Sequence, residues 1–155
     1  MRIEAASSCI FCRIIRGELT PGVLAFCDSR TAVFPSLRQR ARNRGHMLVV
    51  PVAHVEQIYG IEGDLAGALM TTLARVATAV KRACGADGIS IRQHNEKHGD
   101  QDVFHVHFHV IPRFAGDEFT TGDDRYPLSA VEVPLEERIE QARKLAEVLG
   151  RTLRT

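Results

Sequence analysis

The chain has 155 residues, 45% of them hydrophobic and 25% charged. That is one ordinary domain with enough apolar side chains for its own core, so folding needs no disulfide scaffold. Lys and Arg number 20 against 19 Asp and Glu, and the net charge of +1 gives no reason to expect a nucleic-acid or membrane-surface binder.

Residues 9–16 (CIFCRIIR) read as a short knuckle entering a helical turn that Gly17 stops. Pro21-Gly22 turns the chain into a strand at 23–28, and TAVFP at 31–35 reads as a second strand. LRQRARNRG is polar and Arg-rich and reads as a loop. MLVVP at 47–51, between Gly45 and Pro51, is a continuous apolar run expected of a buried strand. Residues 64–84 carry a helical stripe of Leu65, Leu69, Leu73, Val76, Val80 and Cys84, with Asp64 as cap and Gly85 as stop. GISIRQ at 88–93 reads as a strand, HNEKHGDQD as a polar loop, and VFHVHFHVIPR at 103–113 as an alternating strand. A polar stretch at 115–127 follows. Pro134 then opens a second amphipathic helix that ends at Gly150, with Leu135, Ile139, Ala142, Leu145 and Leu149 on one side. Hairpin-like strands with one long inserted helix predict an α+β fold with a mainly antiparallel sheet; the helices are too few for a doubly wound α/β fold.

No run approaches the roughly 18 apolar residues of a membrane span. The start, MRIEAASSCIFC, lacks the apolar run of a secretory signal. The four cysteines, at 9, 12, 27 and 84, are therefore expected in a reducing cytoplasm, where a C-x-x-C pair is more often metal-binding or redox-active than structural.

Seven histidines stand out, five of them between 94 and 109. In a strand, His105, His107 and His109 share one face at roughly 7 Å steps, and Val106, Phe108 and Val110 take the other. Three imidazoles are poor core material, since each has a donor and an acceptor to satisfy. A bland alternative is an exposed His-rich strand. A functional row could hold an anion, bind metal or present a nucleophile. Imidazole attacks phosphorus well and its phosphoramidate is labile, which suits nucleotidyl or phosphoryl transfer.

The segment His105-Val-His107-Phe-His109-Val-Ile111 resembles the H-φ-H-φ-H-φ-φ signature of the histidine triad (HIT) superfamily of nucleotide hydrolases and transferases. Cys9-Ile-Phe-Cys12-Arg-Ile-Ile with Gly17-Glu18 is similar to the start of many bacterial members. Gly45-His46-Met-Leu-Val-Val-Pro51 with His54 resembles the family's G-H-x-L-V-x-P-x-x-H segment. Gln101-Asp-Val103 leads into the triad, and Ile111-Pro112-Arg113 closes it. The resemblance covers about residues 9–119 of a single domain spanning 1–155. It implies a five-stranded antiparallel sheet with a long helix, and usually a homodimer. It also implies attack of a histidine on the α-phosphate of a purine nucleotide, giving a nucleotidyl-histidine. Dinucleoside polyphosphate hydrolase and nucleoside phosphoramidase are two such activities.

By the same resemblance, His107 is the nucleophile, His109 and His46 line the phosphate, and Gln101 contacts the phosphate or leaving group. Asn95, Ser36 and Val103 are substrate-binding candidates. Ser36 stands where members carry an acid or amide for the ribose hydroxyls, and Asp100 stands where many have Gly. Zinc-containing members imply a structural zinc on Cys9, Cys12, His54 and His105, a four-ligand set with no open position for water chemistry. The other reading of Cys9 and Cys12 is redox activity, and of His54 an ordinary loop histidine. Arg38, Arg40, Arg42 and Arg44 read either as a solvated loop or as a phosphate clamp. His94 and His98 are expected to be solvated, and Cys27 and Cys84 to be small core residues. A non-catalytic nucleotide-binding module with the same fold is the alternative to an enzyme.

Overall fold

A computed structural model describes residues 7–117 and 130–150. The strands are β1 (Phe26–Cys27), β2 (Thr31–Pro35), β3 (Arg38–Arg40), β4 (Met47–Pro51), β5 (Gly88–Gln93), β6 (Phe108–Arg113) and β7 (Ala130–Glu132). The helices are α1 (Ile10–Ile15), α2 (Gly63–Cys84) and α3 (Leu135–Val148). Five strands form an antiparallel sheet in the order β1-β2-β4-β6-β5, and β3 pairs with β7 apart from it. The expected α+β class, the five-stranded sheet, the long helix and the C-terminal helix are all present.

Strand parity divides the core. Val33, Met47, Val49 and Val110 face one way, toward Leu69, Leu73, Val76 and Val80 of α2 and Ala142 and Leu145 of α3. Their neighbours Ala32, Phe34, Leu48 and Val50 face the other way, toward Phe11 and Ile14 of α1. In register, Leu48 lies opposite His109, so the histidines share the α1 face. The knuckle is held there by Phe11, which is 7% exposed and meets Phe34 edge-on at 5.4 Å. Burying one such ring contributes about 2–3 kcal/mol.

Several boundaries differ from those the sequence predicts. Paired strand starts at Phe108, not at 103; residues 103–107 leave the ladder, and Val106 N–H donates instead to the Val55 carbonyl at 2.7 Å. The first strand shrinks from 23–28 to Phe26–Cys27. The Arg-rich stretch contains a strand, β3, whose partner β7 is about 90 residues away and gave no local signal. Helix α2 begins at Gly63 with Glu62 at its N-cap. Asp64 is therefore not the cap but lies in the first turn, where its charge meets the helix dipole. Cys27 and Cys84 are half-buried. Of the polar stretch at 115–127, residues 118–127 lie outside the described residues.

Candidate active site

His107 is 1% exposed, and its ring sits between those of Phe11 and His109, at centroid distances of 5.1 and 4.8 Å. Its Nδ1 lies 2.7 Å from the His105 carbonyl oxygen. A carbonyl only accepts, so Nδ1 carries the hydrogen and the neutral ring presents the lone pair at Nε2. Burial lowers the His107 pKa; the His105 carbonyl and Asp102 oppose that effect.

His109 and His46 form a second unit. His46 Nε2 and His109 Nδ1 are 2.9 Å apart, and both rings are buried. His46 also bonds the Arg38 backbone, which raises its pKa and so identifies a carbonyl acceptor. The relay then runs one way: His46 donates to Arg38, His109 Nδ1–H donates to His46 Nε2, and His109 Nε2 keeps its lone pair. Burial pushes His46 down to about 3 and His109 further still.

The loop 94–102 frames this wall. Gln101 is 5% exposed; its Oε1 accepts from Glu96 N–H at 2.7 Å, and its Nε2 donates to the carbonyls of Glu56 (2.7 Å) and Val103 (3.0 Å). Here it braces the loop. Asn95 accepts from Ile58 N–H at 2.9 Å and exchanges bonds with Gln93. Val103 is half-buried against the α1-side core. Ser36 is buried, and its hydroxyl donates to the Arg38 carbonyl at 2.9 Å, beside the backbone bond of its own N–H to His46.

Two further residues join the site: His94, expected to be solvated but half-buried here, and Asp102. His94 meets His109 edge-on at 5.6 Å, and its Nδ1–H donates to the Gly99 carbonyl at 3.0 Å. Strand parity could have found it, because Arg92 lies opposite His109 and the same register carried on two residues reaches His107. Asp102 Oδ1 lies 3.6 Å from His107 Nε2, with 62% of its side chain exposed. The Gln101-Asp-Val103 segment that leads into the triad spans that position but assigns it no role. His98 sits exposed in the 3-10 turn Lys97–Gly99, as expected of a solvated histidine. Three of the four arginines point elsewhere: Arg38 lies 3.6 Å from Glu132, Arg44 lies 3.6 Å from Glu137, and Arg42 donates to the Gly116 carbonyl. Arg42 and Arg44 line a cavity with Cys84, Lys144 and Leu145 on the helical face, away from the histidines. The clamp reading of these two finds no support in that placement.

At the end of the row, Cys9, Cys12, His54 and His105 bring one ligand atom each within 4.8 Å of one another. His105 Nε2 lies 2.9 Å from the Pro51 carbonyl and must donate to it, which leaves the Nδ1 lone pair facing Cys9 and Cys12 Sγ, 3.5 Å away from each. His54 Nδ1 is 3.4 Å from Cys12 Sγ. A tetrahedral zinc with Zn–S near 2.3 Å and Zn–N near 2.05 Å has N···S edges of about 3.5 Å, so the donor set fits. Burial pushes the Cys12 thiol up to about 11, and Cys9 adds to that; a divalent cation is what reverses such a rise. These four residues could hold a metal ion.

Fold and site together define a domain of the histidine triad class. A family model described as the HIT domain matches residues 23–116, and the chain belongs to that family. It is 32% identical over 131 residues to Protein hit of Bacillus subtilis, covering 81% of this chain and 88% of that one. It is 29% identical over 135 residues to adenosine 5'-monophosphoramidase hnt1 of Schizosaccharomyces pombe, covering 81% and 90%. The crystal structure of a Zn-bound histidine triad family protein from Mycobacterium smegmatis superimposes with a TM-score of 0.75 at 28% identity, covering 94% and 95%. Among the described residues, no helix is long and apolar enough to cross a membrane.

Proposed function

We propose that the protein is a nucleotide hydrolase or nucleotidyl transferase that works through a covalent nucleotidyl-histidine on His107. One observation carries the reading: the 2.7 Å bond from His107 Nδ1–H to the His105 carbonyl fixes the tautomer with a nucleophilic Nε2. Attack of that lone pair on an α-phosphate breaks the bond to the leaving group, and the leaving group takes the electron pair. Nδ1–H stays on the His105 carbonyl, which stabilises the positive ring of the intermediate. Water then displaces His107 from phosphorus. With the negative charge of a bound phosphate beside it to offset the burial that disfavours its cation, His109 Nε2, the free end of the relay through His46, accepts the proton of that water or of the phosphate. Gln101 and Asn95 hold the loop above the phosphate, and Val103 and Ser36 border the nucleotide.

The phosphoramidase activity named for the fission-yeast relative supports a phosphoramidate among the substrates, and dinucleoside polyphosphates are the other class to assay. Zinc on Cys9, Cys12, His54 and His105 is structural in this reading. It ties the α1 knuckle to the segment that carries His107. The protein is a cytoplasmic homodimer, and β5 offers a six-residue sheet edge, with Ile91 48% exposed, for a second copy to extend. Light scattering reads that state.

The test is His107→Asn. Turnover of an adenosine phosphoramidate falls at least 1000-fold, roughly the worth of a nucleophile, and no adenylylated protein is trapped. The melting temperature and metal content persist. Wild-type turnover in this variant rejects the mechanism, and binding without any turnover in the wild type favours the non-catalytic module.

A further inference from the structure

The charge around His107 is one-sided. His46, His107 and His109 form a buried wall, and among the described residues the carboxylate at the attacking nitrogen is Asp102, with Oδ1 3.6 Å from Nε2. Arg38 and Arg44 pair with Glu132 and Glu137, and so do not offset an anion here. Arg92 on β5, opposite His109, is a cation that acts on the wall. An α-phosphate that reaches Nε2 must come alongside the Asp102 carboxylate, and with 62% of its side chain exposed Asp102 can turn with the substrate.

We propose that Asp102 is a specificity-determining residue that sorts substrates by the charge of the leaving group. It favours amines and disfavours phosphates. The inference rests on His107 as the nucleophile. In a phosphoramidate, the bridging nitrogen first takes a proton from a solvent hydronium ion, which leaves as water. The Nε2 lone pair then forms the N–P bond as the bond from phosphorus to the amine breaks. The electron pair leaves on the amine, which departs neutral, and the positive charge passes to the His107 ring. The protonated nitrogen is a cation beside a carboxylate, which is favourable. In a polyphosphate, the pair from the broken P–O bond goes to a leaving group already anionic, and the same carboxylate opposes it.

The experiment compares kcat/KM for two adenylyl donors, an adenosine 5'-phosphoramidate of a simple amine and diadenosine tetraphosphate. It uses wild type, Asp102→Asn and Asp102→Glu, at low salt and at about 1 M salt. Asp102→Asn shifts the ratio toward the polyphosphate about tenfold at low salt and less at high salt, because the group is exposed and screened. Asp102→Glu keeps the wild-type ratio. A ratio unmoved by Asp102→Asn, or moved equally by Asp102→Glu, overturns the inference. Calorimetry with AMP and adenosine separates the two levels of failure. Asp102→Asn tightens AMP and leaves adenosine unchanged; equal movement of both also overturns the inference. If the wild type turns over neither donor, the nucleotidyl-transfer reading falls on its own, and the AMP-to-adenosine comparison still decides the charge sorting.

Discussion

Acid should unfold this protein earlier than its carboxylates require, because of the relay between His46 and His109. In the unfolded chain an imidazole takes up a proton near its ordinary value of 6.5; in the fold, burial holds His46 near 3 and His109 lower. Folded values below unfolded values mean that the stabilisation is complete above about pH 6.5. It is lost as pH falls toward about 3. Between about pH 7.5 and pH 5, each ring costs about 1.36 kcal/mol for each of roughly 1.5 pH units, or about 2 kcal/mol, and the pair about 4 kcal/mol. That is a large part of the 5–15 kcal/mol typical of a whole domain. Glu18, Asp28 and Glu140 have lowered values and give way only below about pH 4.5, outside this window. The assay is guanidinium denaturation followed by circular dichroism at both pH values, on wild type and His46→Gln. The variant should lose about 2 kcal/mol less than wild type over the interval. Equal losses in the two proteins refute the reasoning.

The remaining predictions concern the metal cluster and one glycine. Purified protein should contain about one equivalent of zinc per chain, and chelation should lower its melting temperature by several degrees or more. Cys12→Ser should do both without chelator. Protein never exposed to chelator that holds no metal by elemental analysis rejects the site. Gly45 has φ +99°, and a Cβ built there collides with Cys84 Sγ. Gly45→Ala should therefore cost about 2–4 kcal/mol by denaturation, and adding Cys84→Ala should recover the steric part but not the backbone part. A cost below about 0.5 kcal/mol for the single change contradicts both reasons.

The sheet and helices were legible because their signals are local and periodic. Met47, Val49 and Val110 alternate with Leu48, His109 and Ile111, and the stripe from Leu65 to Cys84 repeats at helical spacing, so parity and period alone place them. The metal cluster was legible differently. Its four candidate ligands are spread over about 96 residues, and only the family pattern linked Cys9 and Cys12 to His54 and His105. What was hidden depends on pairing across the chain. Arg38–Arg40 reads as loop until Ala130–Glu132 lies beside it, and Arg44 reads as either a solvated loop residue or a clamp until Glu137 pairs with it. Asp102 is an ordinary loop acid until the fold sets it against His107.

The strand that stops short is the most informative of these differences. In a continuous ladder from 103 to 113, the His105 carbonyl would be a candidate for pairing with a neighbouring strand, and the ring of His107 would stand off the sheet with neither nitrogen fixed. Instead the chain leaves the ladder before Phe108, and Val106 N–H turns to the Val55 carbonyl. That frees the His105 carbonyl to accept from His107 Nδ1–H, while the His105 ring reaches the Pro51 carbonyl on one side and the cysteines on the other. A single residue thus ties the His107 tautomer to the Cys–His cluster, through its backbone in one direction and its side chain in the other. Substitution at His105 should therefore disturb both the metal content and the proposed nucleophile His107, whereas substitution at His107 should leave the metal content unchanged. Loss of zinc on His107→Asn would break that separation and with it the assignment of the two roles.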